Sequence, residues 1–384
     1  MKDVVLFKEL ACENGYKIGL VTLNSPRSLN ALSSDMIDLL YPQLDTWKNQ
    51  DDIAAVFIQG EGDKAFCAGG DIVHMYNAMK QASNEKLEAG SPEITTYFTK
   101  EYALDFLIHT FNKPFVVWGS GIVMGGGLGL MVGGSHRVVS ETSRIAMPEI
   151  GIGLYPDVGA SHFLNKMPKG VGLFLGLTGA SINAIDAKYC SLADAFIEHK
   201  FKTNFIEKLT QLNFSKQFVH NHQEITQLIA TFEEKSQASL TETPIISQLN
   251  SHKSLINEVT SPEELADIVN AILTVKTQDK WFVKAQQSLQ RGSALSAKIT
   301  FKQLALGQSM SLAQCFQMEL GLSVRCGQFG EFSEGVRALL IDKDNTPSWR
   351  FPNVEAVDET LLDWFFESQW EDNEHPLGNL TDNV

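Results

Sequence analysis

Two carboxylates, Glu149 and Asp157, interrupt the stretch MPEIGIGLYPDVGASHFL (147–164), which is otherwise almost entirely apolar or glycine. An acid in apolar surroundings is suited to proton transfer, because burial disfavours its charged form and lifts its pKa toward neutrality. Eight residues of extended chain reach roughly 27 Å, so the two acids meet only if the chain turns between them. Gly151, Gly153 and Pro156 make such a turn feasible. Glu149 follows a proline and has no evident partner in its own segment. It reads either as a general base or as a buried acid of unexplained purpose. Asp157 reads either as its partner or as the N-cap of a helix over VGASHFLNKM.

Two glycine-rich segments could supply backbone donors to go with these acids. In AFCAGGDI (65–72), the adjacent Gly69 and Gly70 let the main chain approach a ligand closely and offer an N–H to an oxyanion. The plainer reading is a strand-to-helix turn capped by Asp71. In GIVMGGGLGL (121–130), three consecutive glycines enter a helix-compatible run, at about 1 kcal/mol each relative to alanine in a helix interior. Either tight packing or a free N–H for a ligand would compensate. The spacing does not match GxGxxG with an acid about 20 residues on, which sets a dinucleotide site aside. His74, His109, His136 and His162 show no metal-ligand spacing, so no metal is expected.

These residues must be positioned by a mixed set of elements. KIGLVTLN (17–24), IAAVFIQG (53–60), FVVWGS (115–120) and HRVVSE (136–141) read as strands, with a helix around 33–48. SPEITTYFTKEYALDFLIH opens with Ser91 and Pro92 as helix start signals. Strands alternating with helices predict an α/β fold. After about residue 200 the texture becomes helical, as in HQEITQLIATFEEKSQ and SPEELADIVNAILTVK. Ser261, Pro262 and Glu264 predict a capping box with proline at the first helical position. The organisational break is placed near 200, giving parts 1–200 and 201–384. The tail LLDWFFESQWEDNEHPLG is predicted to dock as a helix.

Composition narrows the classes. The 384 residues are 43% hydrophobic and 20% charged, which fits a globular chain with a sizeable core. A net charge of -15 argues against nucleic-acid partners, and no apolar run is long enough to span a bilayer. MKDVVLFKEL resembles neither a secretory signal nor a transit peptide. Five cysteines (Cys12, Cys67, Cys190, Cys315, Cys326) lack paired spacing, which fits a reducing, cytoplasmic compartment.

Taken together, AFCAGGDI, KEYALDFLI, MGGGLGL, MPEIGIGLYPDVGASHFL, GLTGASI and EGVRALLIDKDNTPSW resemble the crotonase (enoyl-CoA hydratase/isomerase) superfamily. Within it they are most similar to the 3-hydroxyisobutyryl-CoA hydrolase family. The ordered set runs from about residue 15 to 350. The resemblance implies a spiral of repeated ββα units followed by a mainly helical C-terminal region. It implies that Gly70 and Gly126 donate to a thioester oxyanion, that Glu149 and Asp157 are catalytic, and that Glu101, Gly126, Glu149 and Asp157 bind substrate. Arg27 and Ala68 would contact coenzyme A. Glu101 could instead be an ordinary helix-surface acid. The position matching the first hydratase glutamate is Gly129, which argues against two-acid hydration.

The expected activity is cleavage of a short 3-hydroxyacyl-CoA thioester in valine degradation, with Glu149 as nucleophile or as general base. Isomerisation, hydration and non-catalytic acyl-CoA binding are the alternatives. Coenzyme A is part of the substrate and no separate cofactor is expected. The expected partner is acyl-CoA, with no nucleic acid and no membrane. Self-association into a homo-oligomer is left open.

Overall fold

The fold was analysed in a computed structural model that describes residues 3–87, 90–371 and 373–382. Met1 and Lys2 of the opening stretch and Asp372 of the tail lie outside the described residues. The first part of the chain runs β1 (Val5–Ala11), β2 (Lys17–Leu23), α1 (Ser34–Asn49), β3 (Ile53–Gly60), β4 (Ala65–Cys67), α2 (Ile72–Asn84) and α3 (Pro92–His109). It continues through β5 (Phe115–Gly119), β6 (Ile122–Met124), α4 (Gly126–Val132), β7 (His136–Val139), β8 (Arg144–Ala146) and β9 (Ala195–Phe196). Helices make up nearly all the regular structure after that.

The strands form two sheets, one of six strands in the order β1-β2-β3-β5-β7-β9 and one of three in the order β4-β6-β8. Apart from the antiparallel β1–β2 pair, every ladder is parallel. Successive strand pairs β3/β4, β5/β6 and β7/β8 each place one strand in the large sheet and the next in the small one. This is the spiral of repeated ββα turns expected from the resemblance. β3 is apolar along nearly its whole length because both of its faces are covered. Val56 and Ile58 face the main core, while Ala55 and Phe57 face a second cluster with Phe205, Ile225 and Phe232.

Two helices set up the site. The second half of α3, from Glu101 on, is apolar on most sides and buried, while Glu93, Thr96 and Lys100 leave its first half a solvent side. It packs against the Leu312–Phe329 helix of the C-terminal region, with the Tyr102 and Phe316 rings 5.8 Å apart. α4 carries three glycines in seven residues, and the space beside them is filled by the Glu101, Val158 and Asp105 side chains and by Cys67, its backbone carbonyl included. One expected cap is displaced. The helix predicted to begin at Ser261 is Leu265–Thr274 with Glu264 as its N-cap. Ser261 instead donates its hydroxyl to the Glu258 carbonyl at 2.8 Å, closing the preceding helix. The tail helix docks over Glu359–Phe366, burying Leu362 and Phe365.

Candidate active site

A cavity of about 440 Å³ lies between the β4–α2 turn, the β6–α4 turn and the 147–157 segment. It brings together Ala68, Gly70, Glu101, Gly126, Glu149 and Asp157. Leu339 and Leu340 of the C-terminal region also line it. Gly125 precedes α4 at φ 49°, ψ −127°, a conformation that L side chains rarely adopt, and so sets the entry of the helix at Gly126. Among the described residues, neither the Gly70 nor the Gly126 N–H has an acceptor. The two are close neighbours, since a methyl group on Gly126 would lie 3.6 Å from the Gly70 nitrogen. That methyl would also collide with Glu101 Oε1.

The turn that joins the two acids is made at Gly153, with φ 69°, where any side chain would overlap the Glu331 backbone. The Leu154 N–H closes back on the Glu149 carbonyl at 3.1 Å. Glu149 is buried, and among the described residues its Oε2 has no hydrogen-bond partner. Burial, followed by the Asp157 charge, pushes its carboxyl well above the usual range. Asp157 is buried too, with its Oδ2 2.7 Å from the Tyr102 hydroxyl. Burial lifts its carboxyl above the usual range. The N-cap reading of Asp157 does not hold. The helix there is Ala160–Phe163, its N-cap is Gly159, and Asp157 contributes only its backbone carbonyl, to Ala160.

Glu101 is not a helix-surface acid, since it is 2% exposed. It points away from the solvent side of α3, where the neighbouring Lys100 pairs with Asp38. Burial and then Asp157 raise its pKa, and the Tyr97 hydroxyl lies 3.5 Å from Oε1. Arg27 is exposed in the Pro26–Ser28 turn and does not line the cavity, although Ser28 and Leu29 beside it do. Asp71 caps α2 by accepting the His74 N–H at 3.0 Å, as its turn reading requires. Burial holds the His109 and His136 imidazoles down at about 3 and about 4. Among the described residues, no group of His, Cys, Asp or Glu is arranged to hold a metal.

At Gly129 a methyl group would lie 2.6 Å from Val158 Cβ and 2.8 Å from Asp105 Oδ2. There is no room for a glutamate, so the cavity holds Glu149 without a second acid from α4.

A family model described as enoyl-CoA hydratase/isomerase matches residues 18–366. The chain belongs to the enoyl-CoA hydratase/isomerase family. It is 37% identical over 360 residues to a protein named 3-hydroxyisobutyryl-CoA hydrolase, mitochondrial, from Danio rerio, covering 94% of this chain and 90% of that one. The Homo sapiens protein of the same name is 33% identical, with 95% and 89% covered. Among solved structures, an enoyl-CoA hydratase from Rhodobacter sphaeroides superposes with a TM-score of 0.79 at 29% identity, covering 95% of this chain and 98% of that one. A carnitinyl-CoA dehydratase from Mycobacterium thermoresistibile gives 0.80 at 27%, covering 96% and 97%.

Around the acids of this family member stand residues that the sequence reading did not single out: Tyr102, Asp105, Tyr155, Glu319 and Ser323. Asp105 is fully buried, and among the described residues neither of its oxygens has a hydrogen-bond partner. Burial, then Glu101, Asp157 and Glu319, push it well above the usual carboxylate range. The largely apolar second half of α3 was a signal for Tyr102 and Asp105, because a helical stretch apolar on most sides buries its polar residues as well. Glu319 and Ser323 lie about 160 residues from Asp157, and nothing local marks them.

Proposed function

We propose that the chain hydrolyses a short 3-hydroxyacyl-CoA thioester, most specifically 3-hydroxyisobutyryl-CoA to 3-hydroxyisobutyrate and coenzyme A. The observation that carries this reading is the pairing of Glu149 with Asp157 in one cavity beside two unpaired glycine amides. In this reading the thioester oxygen sits between the N–H groups of Gly70 and Gly126. One such donor is worth about 3 kcal/mol of barrier when charge develops on that oxygen. Glu149 either attacks the carbonyl, expelling coenzyme A as the thiolate and leaving an anhydride that water then cleaves, or takes a proton from the water that attacks the carbonyl and displaces the thiolate. Asp157 positions that water or assists its proton transfer. Glu101, against Gly126, accepts the substrate 3-hydroxyl, and Ala68 and Arg27 attend the coenzyme A moiety.

The names of the relatives support the same substrate and place them in mitochondria. A step in valine degradation follows from that substrate. Cytoplasmic placement rests on the sequence alone. The five cysteines are all unpaired and buried, which supports a reducing compartment. No described helix is long and apolar enough to cross a membrane. No separate cofactor is assigned, and self-association is left open. We keep 1–200 as the acyl-CoA-binding part and 201–384 as the part that completes the pocket.

The test is release of free thiol from 3-hydroxyisobutyryl-CoA beside loss of crotonyl-CoA, for wild type and Glu149→Gln. Thiol release abolished in the variant is expected. Crotonyl-CoA consumed with no thiol released would return the chain to hydration or isomerisation.

A further inference from the structure

Asp157 stands at the end of a line of buried hydroxyls. Its Oδ2 is 2.7 Å from the Tyr102 hydroxyl, which is 2.7 Å from Ser323 Oγ. Ser323 Oγ is 2.8 Å from the Tyr155 hydroxyl, which is 2.6 Å from the Glu319 backbone carbonyl. Tyr102, Tyr155, Ser323 and Glu319 are all fully buried. Oxygens this close in a low-dielectric interior need a hydrogen between them, since facing lone pairs repel.

The four contacts therefore need four hydrogens, and the three hydroxyls bring three. The Glu319 carbonyl can only accept, so Tyr155 donates to it. Ser323 must then donate to Tyr155, and Tyr102 to Ser323. The hydrogen left for the first contact has to come from Asp157.

We propose that Tyr102, Ser323 and Tyr155 are positioning residues that hold Asp157 as a neutral acid in the resting protein. The surroundings agree. Facing Asp157 are Tyr97, Glu101 and Asp105 of α3, Glu149, and Glu319 and Cys326 of the Leu312–Phe329 helix. All are acids, phenols or thiols, and among the described residues no lysine or arginine is resolved as acting on Asp157. Taken pairwise, the Tyr102 contact favours ionised Asp157. The hydrogen count reverses this, because the Tyr102 hydrogen is engaged by Ser323 and Tyr102 is left as the acceptor.

The consequence falls on Glu149. After burial, the Asp157 charge is the next largest cause keeping the Glu149 carboxyl protonated. A neutral Asp157 removes it and so brings the Glu149 carboxyl down toward the carboxylate, the form that either route of thioester cleavage needs. This role for Glu149 rests on the hydrolase reading. The protonation of Asp157 does not.

The experiment is infrared difference spectroscopy on the substrate-free protein across a pH series, wild type against Asp157→Asn. A protonated-carboxyl carbonyl band that is present at neutral pH and lost in Asp157→Asn is expected. Ser323→Ala frees the Tyr102 hydrogen to donate to Asp157, so the midpoint of that band should fall by about one pH unit, a tenfold loss of proton affinity. Ser323→Thr, which keeps the hydroxyl, should restore it. In thiol release, Ser323→Ala should lose about tenfold in kcat with KM unchanged. No Asp157 band at neutral pH, or a midpoint unmoved in Ser323→Ala, overturns the proposal. The band present with no thiol released by wild type supports the proposal and sinks the hydrolase reading instead.

Discussion

The carboxylate of Glu319 accepts the Gly159 N–H at 2.6 Å on one oxygen and the Ser161 N–H at 2.9 Å on the other, pinning the turn that follows Asp157. A helix of the C-terminal region thus fixes a loop of the N-terminal part. Glu319→Ala leaves two buried N–H groups unpaired, at about 1–3 kcal/mol each. Denaturant unfolding should show a midpoint lowered accordingly, and thiol release should fall by more than tenfold because Asp157 lies two residues before Gly159. Full activity in a folded Glu319→Ala protein would show that the turn holds without this clamp.

The buried acids also set how stability responds to pH. Glu319 sits at about 8 in the folded chain, against ~4.3 when unfolded, and Asp157 is raised as well. The folded state binds more protons, so this contribution is full below the unfolded values and is lost as pH rises through the folded ones. Glu101, Asp105 and Glu149 shift in the same direction. The melting temperature should therefore fall between pH ~5 and ~8. Asp105→Asn keeps the shape and removes one titration, so it should flatten the fall. An unchanged slope in that variant would mean that Asp105 does not hold a proton.

Gly129→Glu tests why this chain carries no second acid on α4. The new side chain would press on Val158 and on Asp105. Overpacking of this kind costs about 1–3 kcal/mol. Circular-dichroism melting should show a lowered transition, and crotonyl-CoA hydration should not appear. Hydration gained without loss of stability would show that the site accommodates a glutamate.

The elements that carry the site were legible where periodicity or composition was one-sided. β3 reads as a buried strand because its run is apolar on both faces, and α3 reads as a helix from Ser91 and Pro92 onward. Glu149 stood out because its segment offers it no partner. The capping chemistry at Ser261 misled because a serine can close one helix as readily as open the next. Glu101 could not be placed from its own segment, since its burial depends on α4 and the Leu312–Phe329 helix arriving from elsewhere. Ser323 and Glu319 were invisible for the same reason, because their partners are tertiary and no local pattern encodes them.

Gly126→Ala tests the backbone donor of α4. The added methyl runs into Glu101 Oε1, so either the carboxylate or α4 must move. Displacing one oxyanion donor is expected to lower kcat by about 10²–10³. Substrate binding by the coenzyme A moiety should survive, which isothermal titration with free coenzyme A would report. A kcat within twofold of wild type would remove Gly126 from the oxyanion role.

Arg27 gives the sharpest test of where the coenzyme A lies. It is exposed, with Ser28 and Leu29 of the same turn on the cavity wall, so its charge can meet a phosphate only outside the cavity. An exposed pair of this kind is worth at most about 1 kcal/mol and is screened by salt. Arg27→Ala should therefore raise KM for the acyl-CoA up to about fivefold with kcat unchanged, an effect that shrinks at high salt. The matching thioester of pantetheine, which lacks the nucleotide phosphates, should show no change in KM. If both substrates weaken equally, Arg27 acts through the turn that carries Ser28 and Leu29 and not through a phosphate.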